Sequence, residues 1–181
     1  VARRSVFSTR VLLVCAAIAV ATGILGGIEG WLATPVIAAV PFLYGAILGV
    51  HTLPGIIAQE IFRAPWVALL THVLAAFVAC AVAPVFVPQF IMTAILFGGI
   101  QELVAAAFRY RAWTWWRYLI SALIIGAFIA VVMGLAADLG SLPTWAQITY
   151  IVLSLVGPML WTLLALAVGR GLRRAGVVPA R

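Results

Sequence analysis

A chain of 181 residues that is 66% hydrophobic and only 8% charged cannot cover itself in water, because soluble domains carry about 25% charged residues. The bilayer is therefore its solvent, and a net charge of +7, carried wholly by arginine, reads as membrane topology rather than as a nucleic-acid surface. The lack of lysine excludes a P-loop and any Schiff-base lysine, so if ATP drives transport another subunit must hydrolyse it.

Hydrophobic runs place spans at roughly 10–28, 42–61, 65–83, 88–108, 117–137 and 145–169. Each approaches the ~20 residues that cross a hydrocarbon core. The fold class expected is all-α: a polytopic six-transmembrane-helix bundle, one membrane domain over 1–181, with both termini cytoplasmic. The first basic and apolar stretch reads as a retained span and not as a signal peptide. The arginines set the orientation, since Arg3, Arg4 and Arg10, Arg63, then Arg109, Arg111 and Arg117, and finally Arg170, Arg173, Arg174 and Arg181 all fall on one side. With an arginine-only, alanine-rich composition, this points to the inner membrane of a bacterial cell.

In chain order, the first span holds Ala17 and Ala21, a small pair four apart that permits another helix to approach closely. Glu29 is expected at an external turn. The segment from Gly30 to Pro41, too short to cross, is expected to be an external loop or re-entrant turn with Trp31 as an anchor or lid. Pro54 and Pro158 are expected to kink the second and sixth spans. Glu60 and Arg63, three apart, suit an interfacial ion pair. The run from Trp113 to Tyr118 forms an aromatic belt, and Asp138 marks an external turn. Cys15 and Cys80 lie inside spans and read as packing residues.

Ionisable groups inside spans are costly and draw attention first. They are His51, His72 and Glu102. At about 1.5 Å rise per residue, His72 and Glu102 both lie on the order of 10 Å from the cytoplasmic edge. Glu102 shares its face with Gly98, Gly99, Ala105 and Ala106, and His72 with Ala75, Ala76 and Ala79, so both point into the bundle. If their helices adjoin they can pair, either bracing the bundle or binding a polar or cationic solute; a proton relay is the third reading. Gln101 turns ~100° from Glu102 and lines another part of any cavity. Tyr44 and Trp31, near external ends, offer faces to a planar heterocycle. Two histidines and a carboxylate are a thin set for a metal, no cofactor is implied, and no catalytic arrangement supports an enzyme.

The order of three motifs carries a family resemblance: Pro41-Phe42-Leu43-Tyr44-Gly45 opening a span, Arg63-Ala64-Pro65 at the next turn, and Gly99-Ile100-Gln101 before a basic aromatic turn. Over roughly residues 10 to 172 the chain resembles the YkoE-type substrate-binding (S) components of energy-coupling-factor (ECF) vitamin transporters. The resemblance implies a six-helix capture subunit for thiamine or its hydroxymethylpyrimidine precursor. It implies a transmembrane coupling (T) subunit and two cytoplasmic ATPases as partners, with Ala17 and Ala21 as the docking pair. On this reading Glu102 and His72 give polar contacts, Gln101 bonds a heterocycle, and Trp31 and Tyr44 close the outer side beside His51. The alternatives from the residues alone are a stand-alone proton-linked transporter and a membrane scaffold without a solute.

Overall fold

The structure is a computed structural model that describes residues 8–136 and 138–177. Arg3, Arg4 and Arg181 of the arginine pattern, and Ala137 at the end of the fifth expected span, lie outside the described residues. Among the described residues all regular structure is helical: α1 (Thr9–Ala39), α2 (Tyr44–Leu48), α3 (Leu53–Phe62), α4 (Val67–Val82), α5 (Val87–Ala107), α6 (Trp115–Ala136) and α7 (Thr144–Arg174). Five helical units are long and apolar enough to cross a membrane, with α2 and α3 forming one of them together with the short 3-10 turns at Pro41–Leu43 and Gly49–Thr52. The 16 residues of α4 make a shorter sixth. The chain is a polytopic membrane bundle.

The largest departure from the expected spans is α1. It does not stop near residue 28 but continues through the segment expected as an external loop, passing Pro35, to Ala39. Glycine and proline break helices in water, but lipid offers the backbone no alternative partner, so the helical ladder persists. At 31 residues α1 is about 46 Å long, well beyond the ~30 Å hydrocarbon core, and must tilt or stand out of it. Glu29 is therefore a buried mid-helix residue and not a turn residue, with 6% of its surface exposed. α1 packs along α4, where Gly23 meets Ala75 and Val78 and Gly27 meets Val82; a Cβ at either glycine would clash.

The second unit is irregular where the sequence places Pro54. The 3-10 turn Gly49–Thr52 hands over to α3, in whose first turn Pro54 lacks only a hydrogen bond that turn would not make. Its neighbour α7 runs through Pro158 without interruption and is pressed against this unit. Gly157 lies on Ala46, Gly49 lies on Pro158, and Trp161 Nε1 donates to Ala46 O at 2.9 Å.

The arginines gather at one end. Arg10 Nη2 donates to Val177 O at 2.7 Å, and Glu60 takes Arg63 at 3.6 Å and Arg173 at 3.1 Å. The Glu60–Arg63 pair expected from their spacing is present, although Glu60 itself is buried. Arg117 is an exception to the rim of topological charge. Only 1% exposed, it lies 4.1 Å from the centre of the Tyr118 ring and 4.6 Å from that of Trp113, and it donates to Gln59 Oε1 at 3.1 Å. The aromatic run is thus divided, with Trp115 and Trp116 exposed as a belt and Tyr118 turned into the core. Cys15 and Cys80 are free thiols.

Candidate functional site

Because α1 stays helical beyond Glu29, its second half forms one wall of a cavity at the end away from the arginines. The segment from Tyr44 to His51, the first turns of α5 and the last turns of α6 form the other walls. The cavity encloses about 970 Å³ of empty space including its open mouth. The enclosed part open to a water-sized group is about 250 Å³, close to the lower end of the size common for small-molecule sites. Its surface is mainly apolar and aromatic, with Phe86, Phe90, Phe97 and Phe128 among the lining side chains. Few polar groups interrupt it, which is how such sites orient a solute.

The chief polar group is a pair. His51 Nε2 lies 3.0 Å from Glu29 Oε2, and both residues line the cavity. The pair depends on Gly26, where a Cβ would come 3.0 Å from the His51 ring. The other carboxylate oxygen, Glu29 Oε1, is buried and has no hydrogen-bond partner among the described residues. An unpartnered carboxylate oxygen in an apolar setting is costly, and a cationic or N–H-bearing solute would remove that cost. Tyr44 lines the same cavity, two helical turns before His51.

The remaining residues expected at the site lie elsewhere. Glu102 and His72 do not pair. Glu102 accepts from the backbone N–H of Trp66 at 3.0 Å and of Ala68 at 2.8 Å, and from the Tyr110 hydroxyl at 3.1 Å. These are the orphan donors of the first turn of α4, so the carboxylate caps a short helix sunk into the bundle and complements its dipole. Burial, together with the Glu102 carboxylate, pushes the Tyr110 hydroxyl up to about 12. His72 bonds instead to Gln101, whose Oε1 lies 3.1 Å from His72 Nε2 and whose Nε2 donates to Thr52 O at 3.1 Å. Gln59 Nε2 donates to Gln101 O at 3.3 Å, joining this group to Arg117. Trp31 does not line the cavity. It is 53% exposed, donates to Val82 O at 3.2 Å, and sets its edge against Phe86, through which alone it bears on the site.

Sequence reasoning thus brought Tyr44 and His51 to the cavity and missed Glu29. The missing signal was present in the chain. Gly26 and Ala33 flank Glu29 at three and four residues, with Gly30 beside it, the same small-face pattern that turned Glu102 and His72 inward. Among the described residues no group of three or more His, Cys, Asp or Glu comes together to hold a metal ion.

Comparison with known proteins agrees with this architecture. A crystal structure described as an S-component of an ECF transporter superposes with a TM-score of 0.82 at 20% identity, covering 94% of this chain and 88% of that one. At that identity the likeness establishes the fold: an S-component fold. No curated protein matches the sequence. Residues 10–128 match the family described as "ABC-type cobalt transport system, permease component". Since the match spans well over half of the chain, including Glu29, Tyr44 and His51, the protein belongs to the family of ABC-type cobalt transport system permease components.

Proposed function

We propose that the chain is the substrate-capture S component of an ECF-type importer and that its cavity takes a small, flat, nitrogen-rich cation or amine. Thiamine or its hydroxymethylpyrimidine precursor is the reading favoured. The observation that carries it is the Glu29–His51 pair with one unpartnered carboxylate oxygen inside an aromatic cavity. Carboxylate attracts a thiazolium or an aminopyrimidine N–H edge, and the phenylalanines supply faces on which a heterocycle stacks. Placing the arginine-rich end in the cytoplasm makes six crossings and opens the cavity to the outside, the side from which an importer captures.

The family description names cobalt as cargo. Glu29 and His51 are the one carboxylate and one imidazole of the cavity, whereas a divalent cobalt ion wants a larger set of such donors; the other polar lining is the neutral side chains of Thr34, Tyr44, Gln89 and Thr93 among mainly apolar walls. The cavity fits an organic solute better. Partner subunits follow from the same reading: a transmembrane coupling subunit and two cytoplasmic ATPases. Ala17 and Ala21, which are exposed side by side on the outer face of α1, are available to a partner helix.

Calorimetric titration of the protein in detergent with thiamine, hydroxymethylpyrimidine and cobalt(II) tests the proposal. Saturable binding of either organic solute, weakened about 100-fold by Glu29→Gln, is the expected result. Binding of cobalt with no response to the organic solutes overturns it in favour of metal capture. Uptake by vesicles holding this chain alone would overturn the need for an energising partner.

A further inference from the structure

A second, smaller chamber lies beneath the cavity and shares His51, Phe90 and Thr93 with it; His72 and Thr22 also line this lower space. It has room for roughly one water-sized group. Of the four polar side chains that line it, His72 and Thr22 have their hydrogens already committed. Gln101 donates through Nε2 to Thr52 O, which fixes the amide and turns Oε1 towards His72. An amide oxygen only accepts, so His72 carries its proton on Nε2 and Nδ1 is a lone-pair acceptor. The Nε2–Cδ2 edge of His72 lies against Gly55, where a Cβ would come within 2.8 Å of both atoms. The opposite edge, with Nδ1, is the one left to the chamber. Thr22, for its part, donates its hydroxyl hydrogen to Ile18 O at 2.8 Å and keeps only lone pairs.

We infer that this chamber is a donor-selecting subsite. An amino group at the deep end of the solute donates to His72 Nδ1 and Thr22 Oγ1, whereas an oxo group there would set lone pairs against lone pairs. His72 then serves specificity, and Gln101 is a positioning residue that acts by fixing the imidazole tautomer. The inference rests on the cavity above being the solute site and adds which chemical group enters first. A site built to bond an N–H rejects the analogue lacking it far more strongly than an apolar pocket rejects a change in size.

The test is a pair of titrations of the detergent-purified protein, with 4-aminopyrimidine forms (hydroxymethylpyrimidine and thiamine) and with their 4-oxo counterparts. The amino compounds should bind at least about 100-fold more tightly. Thr22→Val, which leaves the His72–Gln101 pair untouched, should weaken the amino compounds about tenfold and bind the oxo compounds no more weakly than the parent does, because one opposing lone pair is gone. Nitrogen NMR of histidine-labelled protein should place the His72 proton on Nε2 and show its Nδ1 resonance moving when the amino compound binds. Equal binding of amino and oxo forms, or a proton on Nδ1, overturns the subsite while leaving the cavity in place. Failure of both forms to bind overturns the cavity reading and the subsite with it.

Discussion

The two ends of the bundle treat a buried carboxylate in opposite ways. Near the arginines, Glu102 receives three hydrogen bonds, and Glu60 meets the Tyr118 hydroxyl at 3.2 Å as well as two guanidinium groups. Towards the other end, Glu29 has one histidine and an oxygen without a partner. In a solvent that forms no hydrogen bonds, the residue type does not distinguish a brace from a site; the degree of satisfaction does. Glu102 holds α4 to α5, whereas Glu29 holds polar capacity in reserve.

Exchanging the charge at each end gives the sharpest test of that contrast. Glu29→Gln should lower solute affinity by about 100-fold while shifting the melting temperature by less than about 2 °C, because the binding charge goes and no capped helix is lost. Glu102→Ala should do the reverse. It strips the acceptor from two backbone N–H groups of α4, at about 2–4 kcal/mol, and melting should fall on the order of 5–10 °C. Solute affinity of the protein that remains folded should stay within about threefold of the parent. Calorimetry and thermal melting in the same detergent read both quantities, and a binding defect in Glu102→Ala with a stability defect in Glu29→Gln would invert the assignment.

How far each end was legible follows from the same physics. The gathering of the described arginines at one end was readable, because it depends on composition and spacing. Tyr44 and His51 line the cavity because they lie on one irregular unit whose facing direction the surrounding glycines constrain. The capping role of Glu102 was not readable. It depends on Trp66 and Tyr110 adopting left-handed backbone, with φ of 67° and 55°, which brings donors from two turns to one carboxylate. Nothing in either residue type announces that conformation, since non-glycine residues seldom adopt it. Glu29 was misplaced for a different reason: Gly30 and Pro35 carry the punctuation of a soluble loop, and lipid cancels it.

The polar layer between the two ends gives a smaller effect. A methyl at Gly55 would collide with Gln101 Oε1 and come within 2.8 Å of the His72 ring. Gly55→Ala should therefore cost about 1–3 kcal/mol and lower the melting temperature accordingly. Gly99→Ala is the control, because a Cβ there meets nothing within 4 Å and helix propensity favours alanine. Equal melting of the two variants would show that the His72–Gln101 pair is not held against α3.

The smallest effect expected is a pH dependence confined to the capped end. Burial, the Glu102 charge and the hydrogen bond to Glu102 raise the folded Tyr110 hydroxyl from 10 to about 12. The unfolded chain therefore loses this proton first as pH rises. Between about pH 10 and pH 12 the folded state binds more protons than the unfolded one, so stability falls across that window and is fully present below it. Tyr110→Phe removes the titrating group together with one of the hydrogen bonds to Glu102, at about 0.5–1.5 kcal/mol. It should lower melting slightly at pH 8 and flatten the decline above pH 10. Melting curves of parent and variant recorded from pH 8 to pH 12 would show the two converging. Parallel curves would mean that Tyr110 does not share its proton with the Glu102 cap, and that the turn after α5 is held by its backbone alone.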